Sequence, residues 1–260
     1  MARVSIEYQD HIAKVTLTRG DKMNALDPAM VKAILAAGQE VGASDARVVV
    51  LCGEGKSFCA GLDVASFASL AQMDPAERLM PRTFGDTNDM QEVAMIWRRV
   101  PVPVIAALQG AVYGGGLQLA LGADIRIAAP DTRLAVMEMK WGLVPDMGGM
   151  VLLPQLMRSD VLRQMTYTAR PISAQQAERW GLVTTLADDP LAGAMELAQD
   201  IAQQSPSAIR AAKRLIEVAE SSGRGDVLRA ESAEQSALIG KPDQMEVITA
   251  QMQGRKPTFK

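Results

Sequence analysis

Apolar and polar residues alternate over positions 4–8 and again over 12–17, with Gln9-Asp10 between them. A period of two on both sides of a short polar break predicts two strands joined as a hairpin. Asp27 stands directly before Pro28, a pairing that predicts a helix start: the carboxylate can accept from a first-turn amide, and proline gives up an N–H that has no partner there. Val31, Ile34, Leu35 and Val41 supply one apolar face for that helix. Val48-Val49-Val50-Leu51-Cys52 is apolar without alternation, the form expected of a strand buried on both faces. A loop over 53–63 comes next, and a polar stretch leads from it into a helix ending near Trp97-Arg98-Arg99.

Pro101 and Pro103 introduce a second apolar strand, 102–107, because proline suits the beginning of a strand better than its centre. Gly110-Ala111-Val112-Tyr113-Gly114-Gly115-Gly116 is expected to interrupt regular structure before a helical run at 117–121, and residues 125–128 read as a further strand after Gly122. Strand, loop, helix and strand in repetition predict an α/β core built from right-handed crossovers. Beyond about Pro154 helical patterns dominate, as an appendage to that core. Ser173 with Gln176 reads as a capping box, Gly181 ends that helix, and Ser205-Pro206 begins another. Apolar positions such as Ile209, Ala212, Leu215 and Ile216 suit packing on the core or on another subunit.

Composition removes several function classes. The 260 residues are 48% hydrophobic and 22% charged, a mixture typical of a folded globular chain rather than a disordered or fibrous one. Lys and Arg number 27 against 30 Asp and Glu, which leaves no positive excess for a nucleic-acid surface. Charge precedes any apolar run at the N-terminus, and no apolar stretch approaches membrane-spanning length. The expected location is cytoplasmic, with no membrane and no nucleic-acid partner. Cys52 and Cys59 form neither a CxxC motif nor a disulfide framework. His11 is the only histidine, so a two-histidine zinc helix is impossible and any Ser-His or Cys-His system would have to use it. No metal site is expected.

The glycine motifs fail their usual tests. Gly55-Lys56-Ser57 lacks the glycine five positions earlier that a phosphate loop needs, since Val50 stands there, and Gly114-Gly115-Gly116 lacks the last glycine of a dinucleotide fingerprint. What remains is a pair of small-residue loops, Ser57-Phe58-Cys59-Ala60-Gly61-Leu62-Asp63 and Gly114-Gly115-Gly116, each after a buried strand. Two such loops can bring backbone amides to one point, and the helix after Gly115 adds positive potential there; tight turns would produce the same residues. Downstream, Glu138 and Asp146 lie in the otherwise apolar, glycine-bearing stretch Met137-Glu138-Met139-Lys140-Trp141-Gly142-Leu143-Val144-Pro145-Asp146-Met147-Gly148-Gly149. Carboxylates desolvated in that way suit proton abstraction and return near neutral pH, whereas a helix cap at Asp146 and a salt bridge at Glu138 would be structural alternatives.

Taken together these residues resemble the enoyl-CoA hydratase/isomerase, or crotonase, superfamily, over nearly the whole chain. The resemblance implies an α/β fold of spiralling ββα units, here residues 1–195, followed by a helical region, 196–260, that mediates trimers, often paired into hexamers. It implies an acyl-CoA substrate and no cofactor beyond the coenzyme A that the substrate carries. Under it the Leu62 and Gly115 amides form an oxyanion hole, and Ala60, Gly61, Asp63, Val64 and Gly114 line the acyl-CoA site. Within Arg19-Gly20-Asp21-Lys22-Met23-Asn24-Ala25-Leu26, residues Lys22, Asn24, Ala25 and Leu26 would cradle the nucleotide and pantetheine. The tail Arg255-Lys256-Pro257-Thr258-Phe259 resembles an element that reaches a neighbouring subunit's coenzyme A, with Phe259 in that role.

Two positions depart from the hydratase pattern. Hydratases of the family use two glutamates, and here Glu138 occupies one position but Gln118 the other. An amide does not titrate near neutral pH, so Gln118 is expected to hold a water or a substrate oxygen instead. Asp146 stands where typical hydratases have glycine and dienoyl-CoA isomerases have aspartate. The resemblance therefore favours double-bond isomerisation through a thioester enolate. Hydration by Glu138 and a non-catalytic coenzyme A-binding protein are the alternatives. The 16 methionines, Met147 among them, and Trp97 and Trp141 fit either an acyl pocket or ordinary core.

Overall fold

A computed structural model of the chain describes residues 2–66 and 74–259; part of the polar stretch after the first glycine loop lies outside them. The strands are β1 (Val4–Gln9), β2 (Ile12–Leu17), β3 (Val48–Gly53), β4 (Val104–Leu108), β5 (Ala111–Tyr113), β6 (Ile125–Ala128), β7 (Arg133–Ala135), β8 (Ile172–Ser173) and β9 (Thr185–Leu186). Among the described residues they form a six-stranded sheet in the order β1-β2-β3-β4-β6-β9 and a three-stranded sheet in the order β5-β7-β8. The fold is the mixed α/β architecture expected, with a helical C-terminal region.

The hairpin pairs Val4 with Leu17 and Gln9 with Ile12. Its turn is Asp10-His11, both in the left-handed region at φ 50° and 64°, the conformation that matches a two-residue connection to the strand twist. The histidine is thus a turn residue. From β2 onward every pairing in the large sheet is parallel, so each connection is a crossover and both faces must be covered.

That requirement explains the unbroken apolar runs. On one face Ala13, Val15, Leu17, Val49, Leu51, Val104, Ala106 and Leu108 join the main core, which helices Pro28–Gly42, Asp89–Arg99 and Gly115–Leu121 complete. Ile12, Val48, Val50, Cys52, Ile105, Ala107 and Ile127 point the other way, against helix Pro190–Ala202. Ala194, Ala198 and Ala202 recur every fourth residue along that helix, so a ridge without bulk rests directly on the strands. This helix runs across the 195/196 boundary read from the sequence and packs on the sheet.

Other local expectations shift for identifiable reasons. Asp27 does cap its helix, its carboxylate accepting from the Met30 amide at 2.7 Å. β4 begins at Val104 rather than 102, after the two prolines, with the Val104 amide donating to the Asp124 carboxylate at 2.7 Å. The glycine-bearing stretch 110–116 is not irregular throughout, because β5 lies within it. Ser173 caps only half of the expected box: it accepts from the Gln176 amide, while the Gln176 carbonyl takes Arg179 instead. A reciprocal box forms at Asn88 and Gln91. Helix Pro206–Ser221 is tied to the core by the buried Lys213, whose ammonium donates to the Trp97 and Val102 carbonyls and to Asp124 at 2.9–3.2 Å. Among the described residues no helix is long and apolar enough to cross a membrane.

The alanine ridge yields a stability test. Ala198 is fully buried against the sheet, so Ala198→Leu should lower the unfolding free energy by roughly 1–3 kcal/mol through overpacking, read as a lower urea midpoint. An unchanged midpoint would mean that the helix does not seat on the strands in this way.

Candidate active site

The two glycine loops are stitched to one another and to the segment before the first long helix. The Phe58 amide donates to the Gln109 carbonyl, Cys59 to Ala111, and Tyr113 back to Cys59, at 2.8–3.2 Å. On the opposite side Ala60 donates to Met23, Leu26 to Gly61 and Asp63 to Leu26, at 2.8–3.0 Å. The alternation of extended backbone turns the Leu62 amide away from these bonds. Neither the Leu62 nor the Gly115 amide donates to another backbone group among the described residues. Gly61 brings them close: it adopts φ 93°, and a Cβ there would fall 2.6 Å from the Tyr113 carbonyl oxygen and 3.5 Å from the Gly115 nitrogen. Only glycine fits both the conformation and the space.

Glu138 opens a short 3-10 turn, Glu138–Trp141, at the end of β7. Its Oε1 stands beside the second loop, 3.4 Å from where Gly114 would carry a Cβ. The Gln118 amide nitrogen donates to that oxygen at 2.6 Å. Gln118 itself is 2% exposed, and its own oxygen accepts from the Met147 and Gly149 amides at 2.8 and 2.9 Å. Backbone N–H groups can only donate, so the atom facing them must be the amide oxygen, and both its lone pairs are taken. The expectation that Gln118 would hold a water or substrate oxygen through that atom is corrected here: the side chain is turned into the protein.

Burial raises the Glu138 carboxyl above its ordinary range, with Asp146 adding a smaller push and the Gln118 contact opposing it. Its Oε2 is buried without a hydrogen-bond partner among the described residues. Asp146 keeps an open face, yet the groups crowded around its carboxyl raise its pKa as well. It caps no helix, since the next one, Gly149–Leu156, starts after Gly148, and Glu138 forms no salt bridge among the described residues. The structural alternatives for both carboxylates fail. Met147 is buried, with its sulfur 2.7 Å from the position a Gly115 Cβ would take; Met150 is exposed. Trp97 belongs to the core and Trp141 is half exposed.

The expected coenzyme A cradle divides into scaffold and surface. Asn24 is completely buried: its oxygen accepts from the Arg19 amide, and its nitrogen donates to the Glu54 and Ser57 carbonyls at 2.9–3.0 Å. Its side chain therefore positions the loop rather than facing a ligand. Leu26 is buried against Gly115, Ala25 is half-buried, and Lys22 and Val64 are exposed. Arg19, which sequence reading left without a role, bonds the Ala25 carbonyl and pairs with Asp63 at 2.7 Å, holding the Asp63 carboxyl below its usual range. Opposite charges at the two ends of the joined loops were the signal for it. Cys59 is enclosed beneath the loop, its thiol donating to the Asn24 carbonyl at 3.1 Å, and burial pushes its pKa up to about 12. Phe259 lies elsewhere, packed under the Arg47 guanidinium of its own chain, whose Nη2 donates to the Phe259 carbonyl. No group of three or more His, Cys, Asp or Glu side chains that could hold a metal occurs among the described residues.

Residues 7–260 match the sequence profile described as enoyl-CoA hydratase/isomerase. The chain is 32% identical over 215 residues to the (E)-benzylidenesuccinyl-CoA hydratase of Thauera aromatica, covering 81% of this chain and 80% of that protein. It is also 32% identical over 213 residues to the mitochondrial Delta(3,5)-Delta(2,4)-dienoyl-CoA isomerase of Mus musculus, covering 79% and 65%. The crystal structure of an enoyl-CoA hydratase from Bacillus anthracis superposes with a TM-score of 0.89 at 30% identity, covering 99% of each chain.

The raised Glu138 carboxyl carries a stability consequence of definite sign. A carboxyl whose folded pKa exceeds its unfolded value destabilises the native state wherever it is ionised: fully above the folded pKa, and not at all below the unfolded one. Glu138→Gln removes that penalty. The melting temperature of the variant relative to wild type should accordingly be higher at pH 7 than at pH 4. A difference that stays constant between these pH values would contradict the burial argument.

Proposed function

The chain belongs to the enoyl-CoA hydratase/isomerase family, and we propose that within it the protein shifts the double bond of an enoyl- or dienoyl-CoA thioester. The observation that carries this reading is the engagement of Gln118. With its amide committed to Glu138 and to two backbone donors, the carboxyls at the site with raised pKa values are Glu138 and Asp146, both raised by desolvation. Two carboxyls with elevated pKa values suit a reaction in which one takes a proton from carbon and the other returns one further along the chain.

The steps conserve charge and oxidation state. A carboxylate removes a proton activated by the thioester, the electron pair moves through the conjugated system onto the carbonyl oxygen, and an enolate results. That oxygen is held by the Leu62 and Gly115 amides, and loss of one such donor typically costs about 2.7–4 kcal/mol of transition-state stabilisation. Collapse of the enolate draws a proton from the second carboxyl onto a different carbon. No redox step occurs, so the proposal includes no cofactor besides the coenzyme A moiety. Lys22, Ala25, Leu26, Ala60, Gly61, Asp63, Val64 and Gly114 would line the thioester and pantetheine path.

Hydration, with Glu138 activating water, is the second reading, favoured by the hydratase among the relatives. Glu138→Gln and Asp146→Asn separate the two. For isomerisation each should lower turnover of 3-enoyl or 3,5-dienoyl thioesters by about 10²–10⁴-fold, with thioester affinity nearly unchanged. In deuterated water the label should enter the carbon chain. A silent Asp146→Asn together with rapid wild-type hydration of 2-enoyl thioesters would replace isomerisation by Glu138-dependent hydration.

We also propose a cytoplasmic homotrimer, or a pair of trimers. Ile216, Leu228, Ile239, Met245 and Ile248 on the C-terminal helical region are exposed apolar residues, a set that association would cover. Light scattering should give a mass three or six times that of the chain, and a fully active monomer would refute the assembly.

A further inference from the structure

We propose that Gln118 is a positioning residue that holds one oxygen of Glu138, favours the ionised form of that carboxylate and couples it to the segment bearing Asp146. The inference rests on the assignment of Glu138 and Asp146 as the proton-transfer pair. It assigns Gln118 no contact with the substrate.

The geometry restricts the amide to one orientation. Its oxygen receives the Met147 and Gly149 amides, so its nitrogen is the end that meets Glu138 Oε1. Reversing it would set donors against donors on one side. An NH2 group cannot accept, hence a protonated Glu138 cannot carry its proton on Oε1 toward Gln118. With Oε1 held as an acceptor, the proton is favoured on Oε2. One contact thereby distinguishes the two carboxylate oxygens and favours the ionised form.

The other end of the amide reaches the second carboxylate through the backbone. Met147 follows Asp146 directly, and its N–H is one of the two donors held by Gln118. Gly149 leaves room for this: a Cβ there would fall 2.7 Å from Gln118 Oε1. A rigid, buried carboxamide therefore spans the two groups whose separation must match the distance between the carbons that lose and gain a proton.

Besides Gln118, the backbone N–H groups of Glu138 and Met137 favour its ionised form, and charged neighbours are few. Asp146 raises its pKa, and Lys140 on the same turn is exposed. On helix Ser159–Thr168, which packs on that turn, Asp160 is paired with Arg158, and Arg163 bonds Ser159 and Tyr167. Helices Gly115–Leu121 and Gly149–Leu156 bring no titratable side chain.

Two variants test the idea in the free enzyme, independently of which thioester it turns over. Gln118→Met keeps the volume and removes both hydrogen-bonding ends, so it isolates the loss of the donor; Gln118→Glu keeps an acceptor for Met147 and Gly149 but replaces the fixed NH2 donor by a carboxyl that ionises beside Glu138. Infrared difference titration of 13C-glutamate-labelled protein, with Glu138→Gln identifying the band, reads the ionisation of Glu138 directly. The expected result is conversion of the Glu138 carboxyl at higher pH in both variants than in wild type. With a substrate in hand, kcat should also fall roughly 10²-fold in Gln118→Met, KM should change little, and the acidic limb of the kcat profile should move upward. If the folded variants, checked by cooperative melting, titrate as wild type does, Gln118 serves the fold alone and the proposal is overturned. That outcome differs from failure of the isomerase reading, which would leave the titration shift intact and remove only double-bond migration.

Discussion

Everything at the site depends on the anchoring of segment 57–63 from both sides. Its outer edge is bonded to β5 and the residues before it, and its inner edge to residues 23–26. Backbone groups in the interior must be paired somewhere, and this arrangement pairs them laterally while leaving the Leu62 amide without a backbone acceptor among the described residues. Asn24 ties the same segment to its surroundings: its side chain donates to the Ser57 carbonyl within it and to the Glu54 carbonyl before it, and accepts from the Arg19 amide. The proposed oxyanion hole of backbone amides can be no more exact than the loops that carry it, and these loops belong to a continuous hydrogen-bonded fabric.

Above that fabric the proposed acid–base groups are set by desolvation and by one amide. Glu138 and Asp146 come from a stretch with little regular structure, where local flexibility would ordinarily blur their positions. The Gln118 side chain supplies the missing constraint: it projects from a helix locked between the loops and the core and bonds to the turn on one side and the 147–149 segment on the other. A polar group in such a place is costly unless every strong bonding position is used. Its near-complete engagement is why it can be tolerated at 2% exposure.

Much of this was legible in the chain itself. The hairpin, the buried parallel strands and the helix capped by Asp27 follow from periodicity and cap chemistry, which act over a few residues. β5, β7 and β8 were not legible, because strands of two or three residues carry too short a pattern to show a period. The two glycine loops announced themselves as close approaches of backbone, yet their joining required knowledge of which strands are neighbours. Asn24 looked like a ligand contact from its motif and proved to be scaffold, since a side chain's direction depends on a left-handed backbone, φ 53°, that the residue type only permits. Gln118 looked like a substitution of a reacting group. Its partners, two backbone amides nearly thirty positions away and a carboxylate twenty away, leave no local trace.

The enclosure of Cys59 also has a chemical consequence. A thiol beside the proposed oxyanion hole would ordinarily be a vulnerable atom of the site, open to alkylation and to stepwise oxidation. Reactivity requires the thiolate. With the pKa pushed up to about 12, only about one molecule in 10⁵ carries it at neutral pH, and the sulfur has no exposed surface through which a reagent could approach. The loop thus contains a sulfur nucleophile that is enclosed and protonated, withheld from any electrophile that reaches the loop's outer surface.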